Sequence, residues 1–141
     1  MKTKETDLYR LIERSSFLKH IFLFRDLPQE HLLSIAEIVE EILVYKGETL
    51  FRQGDPGDFM YLIREGEISV QVNDREVAVL GAGNCLGDMA LIDGLPRSAS
   101  AVVRRDARLM RISSYDFENL LLLHPDISLA LMRILSARIR T

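Results

Sequence analysis

The chain has 141 residues, 48% hydrophobic and 28% charged, with a formal net charge of −3 at neutral pH. That length supports one domain with a real core, and the slightly acidic balance excludes the basic footprint of nucleic-acid binders. One cysteine, Cys85, excludes an internal disulfide and fits a reducing compartment.

The first seven residues are polar and no apolar core follows them, so no signal peptide is expected. Uninterrupted apolar runs, such as 21–24 and 120–123, are far too short to span a bilayer, which points to a cytoplasmic protein without a membrane segment. Leu8, Leu11 and Ile12 are spaced for one helix face, and Phe17, Leu18, Ile21 and Phe22 continue it past Ser15 and Ser16. Asp26-Leu27-Pro28-Gln29 reads as a helix start: Asp26 and Gln29 have capping-box spacing, and Pro28 suits a first turn whose N–H lacks a partner anyway. Leu32, Ile35, Ala36 and Val39 form the stripe of that helix, which is expected to end near Glu40-Glu41. Residues 1–41 are therefore expected to be helical.

From 42 to 112 the texture changes to short β-prone pieces. They are separated by turn signals at Lys46-Gly47, 53–58, Glu65-Gly66, Asn73-Asp74 and 81–83. The clearest strands are 59–63, 68–72 and 76–80, followed by 98–103 and 109–112. Ile68, Val70 and Val72 alternate with Ser69 and Gln71, as in a strand with one face on the core. No helix of crossover length separates these pieces, so a closed or rolled antiparallel arrangement is expected rather than a parallel sheet. Residues 113–141 turn helical again. Ser113 or Ser114 can cap a helix carrying Phe117, Leu120 and Leu121, and His124-Pro125 breaks it. Pro125 can open a last helix lined by Ile127, Leu131 and Ile134, with Arg133, Arg138 and Arg140 on a solvated face. No internal repeat, low-complexity segment or linker is visible, so residues 1–141 read as a single domain.

The stretch 86–101 carries the chemistry. Gly87 and Asp88 open a short apolar turn, and Asp93-Gly94-Leu95-Pro96 then delivers Arg97 into a small-residue strand. A short helix start facing a guanidinium makes a pocket for a small anion. Met89, Leu91 and Ile92 read as core, with Met89 also able to flank a ligand. Cys85 reads as a small buried residue rather than a nucleophile. Nothing pairs a nucleophile with a base, so no catalytic residue is expected. His20, His31 and His124 fall outside the β-region, which argues against a metal site on the strands.

Taken together, the chain from about Phe17 to Arg140 resembles the cyclic-nucleotide-binding domain family. That family includes sensor domains of bacterial catabolite activators, protein kinase A regulatory subunits and cyclic-nucleotide-gated channels. The resemblance is carried by Gly87-Asp88-Met89-Ala90-Leu91-Ile92 and Pro96-Arg97-Ser98-Ala99, at the spacing of the family's phosphate-binding cassette. Gly54-Asp55-Pro56-Gly57-Asp58, Met60-Tyr61-Leu62-Ile63 and Glu65-Gly66-Glu67 add to it. It implies an α+β fold: an antiparallel β-roll of jelly-roll type with N-terminal helices, two C-terminal helices and a short phosphate-binding helix inside the roll. It also implies a non-catalytic sensor of a 3′,5′-cyclic nucleotide, with no cofactor besides the ligand.

By the same resemblance, Arg97 pairs with the cyclic phosphate, the backbone amides of Ala90 and Ser98 bind it, and Gly87 lets the chain approach the sugar. Asp88 stands where the family has a glutamate that holds the ribose 2′-hydroxyl. It either reaches that hydroxyl or caps the short helix. Ser98 does not separate cyclic AMP from cyclic GMP; cyclic AMP is favoured as the commoner ligand. The terminal helix is the expected relay to a homodimer partner or a fused effector domain, the chain being either a stand-alone sensor or a domain of something larger. The competing expectation is a degenerate β-roll that no longer binds nucleotide and serves as an interaction module.

Overall fold

The computed structural model describes residues 4–140. Side chains at 4–6, 89 and 138–140 lie outside the described residues. The fold has two compact units. One is drawn from the two ends of the chain, up to Val39 and from Asp116 onward, and the other is Glu40–Tyr115.

In the helical unit, α1 is Lys4–Leu18 and α2 is Gln29–Ile38. Between them the chain does not stay helical as the spacing of Ile21 and Phe22 suggested. It makes single hydrogen-bonded turns that bury Leu18, Ile21, Phe24 and Leu27 and leave Phe22 exposed. Leu8 and Ile12 are also exposed rather than core. The capping box does not form: Pro28 occupies the N-cap position without a side-chain cap. Gln29 instead donates from Nε2 to Ser15 Oγ at 3.0 Å, which ties α2 to α1. The helix ends at Ile38, and Glu40 and Glu41 are the start of a strand. Their side chains explain the change, since Glu40 takes both Arg111 donors at 3.0 and 3.1 Å, and Glu41 pairs with Arg64. Further on, α4 (Ser114–Leu123) and α5 (Pro125–Arg140) follow the expected break at His124, with Ile127 and Leu131 buried. Arg133 is exposed, as a solvated face requires, while the side chains of Arg138 and Arg140 lie outside the described residues. Among the described residues no single helix is long and apolar enough to cross a membrane.

The second unit is an entirely antiparallel six-stranded sheet. Its strands are β1 (Glu40–Val44), β2 (Thr49–Phe51), β3 (Phe59–Val72), β4 (Arg75–Leu80), β5 (Cys85–Leu86) and β6 (Ser100–Ser113). The order is β1-β6-β3-β4, with β2 on β6 and β5 on β3, so the sheet is rolled and open rather than closed. β3 and β6 each merge two of the expected strands. The expected turn at Glu65-Gly66 is instead a bulged bend within the β3–β6 ladder. Gly66 (φ +100) is pressed so close to the opposite strand that a Cβ would lie 2.6 Å from the Asp106 carbonyl oxygen. The β3–β4 hairpin turns at Asn73 and Asp74, both at positive φ, as a two-residue hairpin with native twist requires. The alternation in β3 is incomplete, because Ser69 is buried and donates to Glu76 Oε1 at 2.7 Å. Ile63, Ile68, Ala101, Val103 and Leu109 form the centre of this unit's core, and Phe51 and Val70 pack against it.

Candidate functional site

Between β5 and β6 the chain makes one short helix, α3 (Asp88–Asp93), flanked by Gly87 and Gly94, both left-handed. Gly87 (φ +76) permits the reversal out of β5, and it serves a second purpose. A Cβ there would collide with Arg97 Nη1, so the glycine makes room for the guanidinium itself. Asp88 is the first helical residue, one position after Gly87 at the N-cap. Leu91 is buried as expected; Ile92 is exposed, because this single turn has only one face on the sheet. The Met89 side chain lies outside the described residues.

Arg97 is held from both directions along its backbone. Its N–H donates to Asp55 O at 2.8 Å and its carbonyl accepts from Gly54 N at 2.8 Å, which fixes it against the 53–58 turn. In that turn Gly57 leaves no space for a side chain against Ala90 of α3. The Arg97 side chain is 5% exposed. Its Nη1 donates to Gly87 O at 3.3 Å and its Nη2 to Phe59 O. The guanidinium carbon lies 4.1 Å from the centroid of the Phe51 ring. Arg97 Nε is buried without a hydrogen-bond partner, and Arg97 forms no ion pair among the described residues. Burial lowers the Arg97 pKa, opposed by Tyr61 and the carboxylates of Asp58 and Asp55. An arginine keeps its charge regardless, so a cation sits here with neutral hydrogen-bond partners only.

That cation faces a pocket of about 370 Å³, within the ~300–1,000 Å³ range of small-molecule sites. Gly87, Asp88, Ala90, Arg97 and Ser98 all line it, so the described residues singled out in the sequence converge on one cavity. Val70, expected on the core face of its strand, lines it as well. Cys85 is half-buried in the pocket wall rather than in the core, because β5 is only two residues long and its register on Tyr61 and Leu62 leaves it at the rim. Phe51 and Leu80 were not legible in the sequence, since they come from distant strands. The carbonyls of Phe59 and Gly87 leave no residue-type signal at all. Among the described residues there is no cluster of His, Cys, Asp or Glu suited to a metal ion.

A family model described as "Cyclic nucleotide-binding domain" matches residues 41–124. The chain is 36% identical over 101 residues to a cAMP-dependent protein kinase regulatory subunit of Eremothecium gossypii, covering 72% of this chain and 22% of that one. It is 33% identical over 129 residues to a cyclic nucleotide-gated potassium channel of Rhizobium etli, covering 87% of this chain and 36% of the channel. The chain thus spans between about a fifth and about a third of the length of these relatives. Among solved structures, the N-terminal domain of a transcriptional regulator from Streptomyces coelicolor superposes with a TM-score of 0.81 at 29% identity, covering 88% of this chain and 92% of that one.

Proposed function

The chain belongs to the cyclic nucleotide-binding domain family, and on that premise we propose that it is a non-catalytic sensor whose pocket takes a 3′,5′-cyclic nucleotide. The observation that carries this reading is Arg97: a buried guanidinium with only neutral partners, on the wall of a ligand-sized cavity. A buried cation that no carboxylate hydrogen-bonds is costly, and a singly charged cyclic phosphate would supply an anionic partner through a charge-assisted bond. In this reading the amides of Ala90 and Ser98 complete the phosphate site, Gly87 admits the sugar, and Asp88 faces the ribose. The kinship with a cAMP-dependent kinase subunit favours cyclic AMP over cyclic GMP. Occupancy is relayed through α5 to a second copy or a fused effector.

Calorimetric titration of the chain with cyclic AMP and cyclic GMP, repeated on Arg97→Ala, tests the reading. Truncating one partner of a buried charged pair costs about 2–5 kcal/mol, so the variant should bind at least about thirtyfold more weakly. Equal affinity of the two proteins would refute Arg97 as the anchor. A second reading is favoured by one observation, that the carboxylate at position 88 is an aspartate. In it the roll keeps its fold, binds no nucleotide and acts as an interaction module. A purified chain that gains no thermal stability at millimolar cyclic nucleotide would support that alternative, because any ligand of the native state must stabilise it.

A further inference from the structure

We infer that Phe51 is a positioning residue for Arg97, setting the affinity of the pocket for its anion by fixing the guanidinium before ligand arrives. This rests on the anion-binding reading of the same pocket. The guanidinium carbon lies 4.1 Å from the Phe51 ring centroid, well inside the ~6 Å reach of a cation–π contact, and burial strengthens such a contact. The ring is itself immobilised. It packs against the β-unit core and stacks on Tyr61 with centroids 6.0 Å apart and planes inclined by 28°. Its backbone is fixed too, since Phe51 pairs with Ala101 at the start of β6, just after Arg97.

The remaining restraints on Arg97 act at the edge of the guanidinium, from the carbonyls of Gly87 and Phe59. Two edge contacts and one face contact define a plane, leaving Nε buried and without a partner. A guanidinium held in this way does not have to be ordered when an anion binds, and a pre-ordered side chain loses less entropy on association. An aliphatic residue at position 51 would fill the same wall but offer no π-face, so the Arg97 plane would be free to rock.

The test is a double-mutant cycle on the full chain, read by titration with cyclic AMP. Phe51→Leu should weaken binding about 5- to 30-fold, while Phe51→Tyr, which keeps the ring, should stay within about twofold. In an Arg97→Gln background, where no cation remains over the ring, the Phe51→Leu penalty should largely disappear. The same penalty in both backgrounds would overturn the inference, because Phe51 would then act only as pocket wall. Equal loss in Phe51→Leu and Phe51→Tyr would overturn it as well. Should the wild-type chain bind no cyclic nucleotide, the functional reading falls but the positioning claim is still decided by urea unfolding of the same four proteins. Non-additive stability losses for Phe51→Leu and Arg97→Gln sustain the coupling, and additive losses remove it.

Discussion

Arg97, Gly87 and Asp88 show how little side chain is needed to build the pocket and how much backbone. Arg97 is kept in place by the carbonyls of two residues it is far from in sequence or separated from by a whole helix. Gly87 serves as turn and clearance together, which is why no other residue type fits between β5 and α3. Asp88 lines the cavity from the first position of α3, with Gly87 rather than Asp88 at the N-cap. In the proposed function its carboxylate faces the ribose. One more methylene would carry that carboxylate further into the cavity. Asp88→Glu is therefore expected to tighten cyclic AMP binding by about tenfold, the worth of one better-aligned hydrogen bond to a charged acceptor. Titration of the two proteins side by side checks this. Weaker binding by the glutamate variant would mean that the pocket is shaped around aspartate.

At the scale of elements, the bend at Gly66 lets one long ribbon, β3 with β6, serve both as core and as support for the site. Register slips on either side of it, and Glu65 and Glu67 pair with Arg108 and Arg105 across the bend. An alanine there would need positive φ and would drive its Cβ into the Asp106 carbonyl and Ala107. Gly66→Ala should thus destabilise the protein by about 2–3 kcal/mol in urea unfolding, and a loss below about 0.5 kcal/mol would show that the bend relaxes freely. This element also explains what the sequence could convey. Turn residues marked the break between β1 and β2 at Lys46-Gly47 and the β3–β4 hairpin at Asn73-Asp74 correctly, where local chemistry sets the backbone. Glu65-Gly66 carries the same local signal, yet cross-strand pairing overrides it and the chain runs on as a bulge. The reverse holds at Glu40-Glu41, helix-like in composition but recruited into β1 by Arg111 and Arg64 from other strands. The cassette was legible because its residues lie close together in the chain. Phe51 and Leu80 were not, because they reach the pocket only through strand pairing.

For the whole molecule, a ligand acting on the Glu40–Tyr115 unit has consequences through linkage that no single contact displays. At a concentration 100 times its Kd, a nucleotide that binds only the native state adds about 2.7 kcal/mol of stability. For a chain of this size the melting midpoint should rise by roughly 10 °C. Such stabilisation by itself says nothing about signalling. A relay demands that the nucleotide bind one arrangement of the terminal helix better than another, because a ligand with equal affinity for both shifts neither. Amide hydrogen exchange with and without saturating cyclic AMP separates the two outcomes. Binding alone slows exchange in β2, α3 and the start of β6, where the pocket lies. A relay must in addition change exchange along α5 (Pro125–Arg140), where Ile127 and Leu131 are buried and the exposed Asp126 lies 2.9 Å from His31 of α2. A change confined to Glu40–Tyr115 would sink the relay while leaving the nucleotide site intact, and the effector would then have to read the β-unit directly.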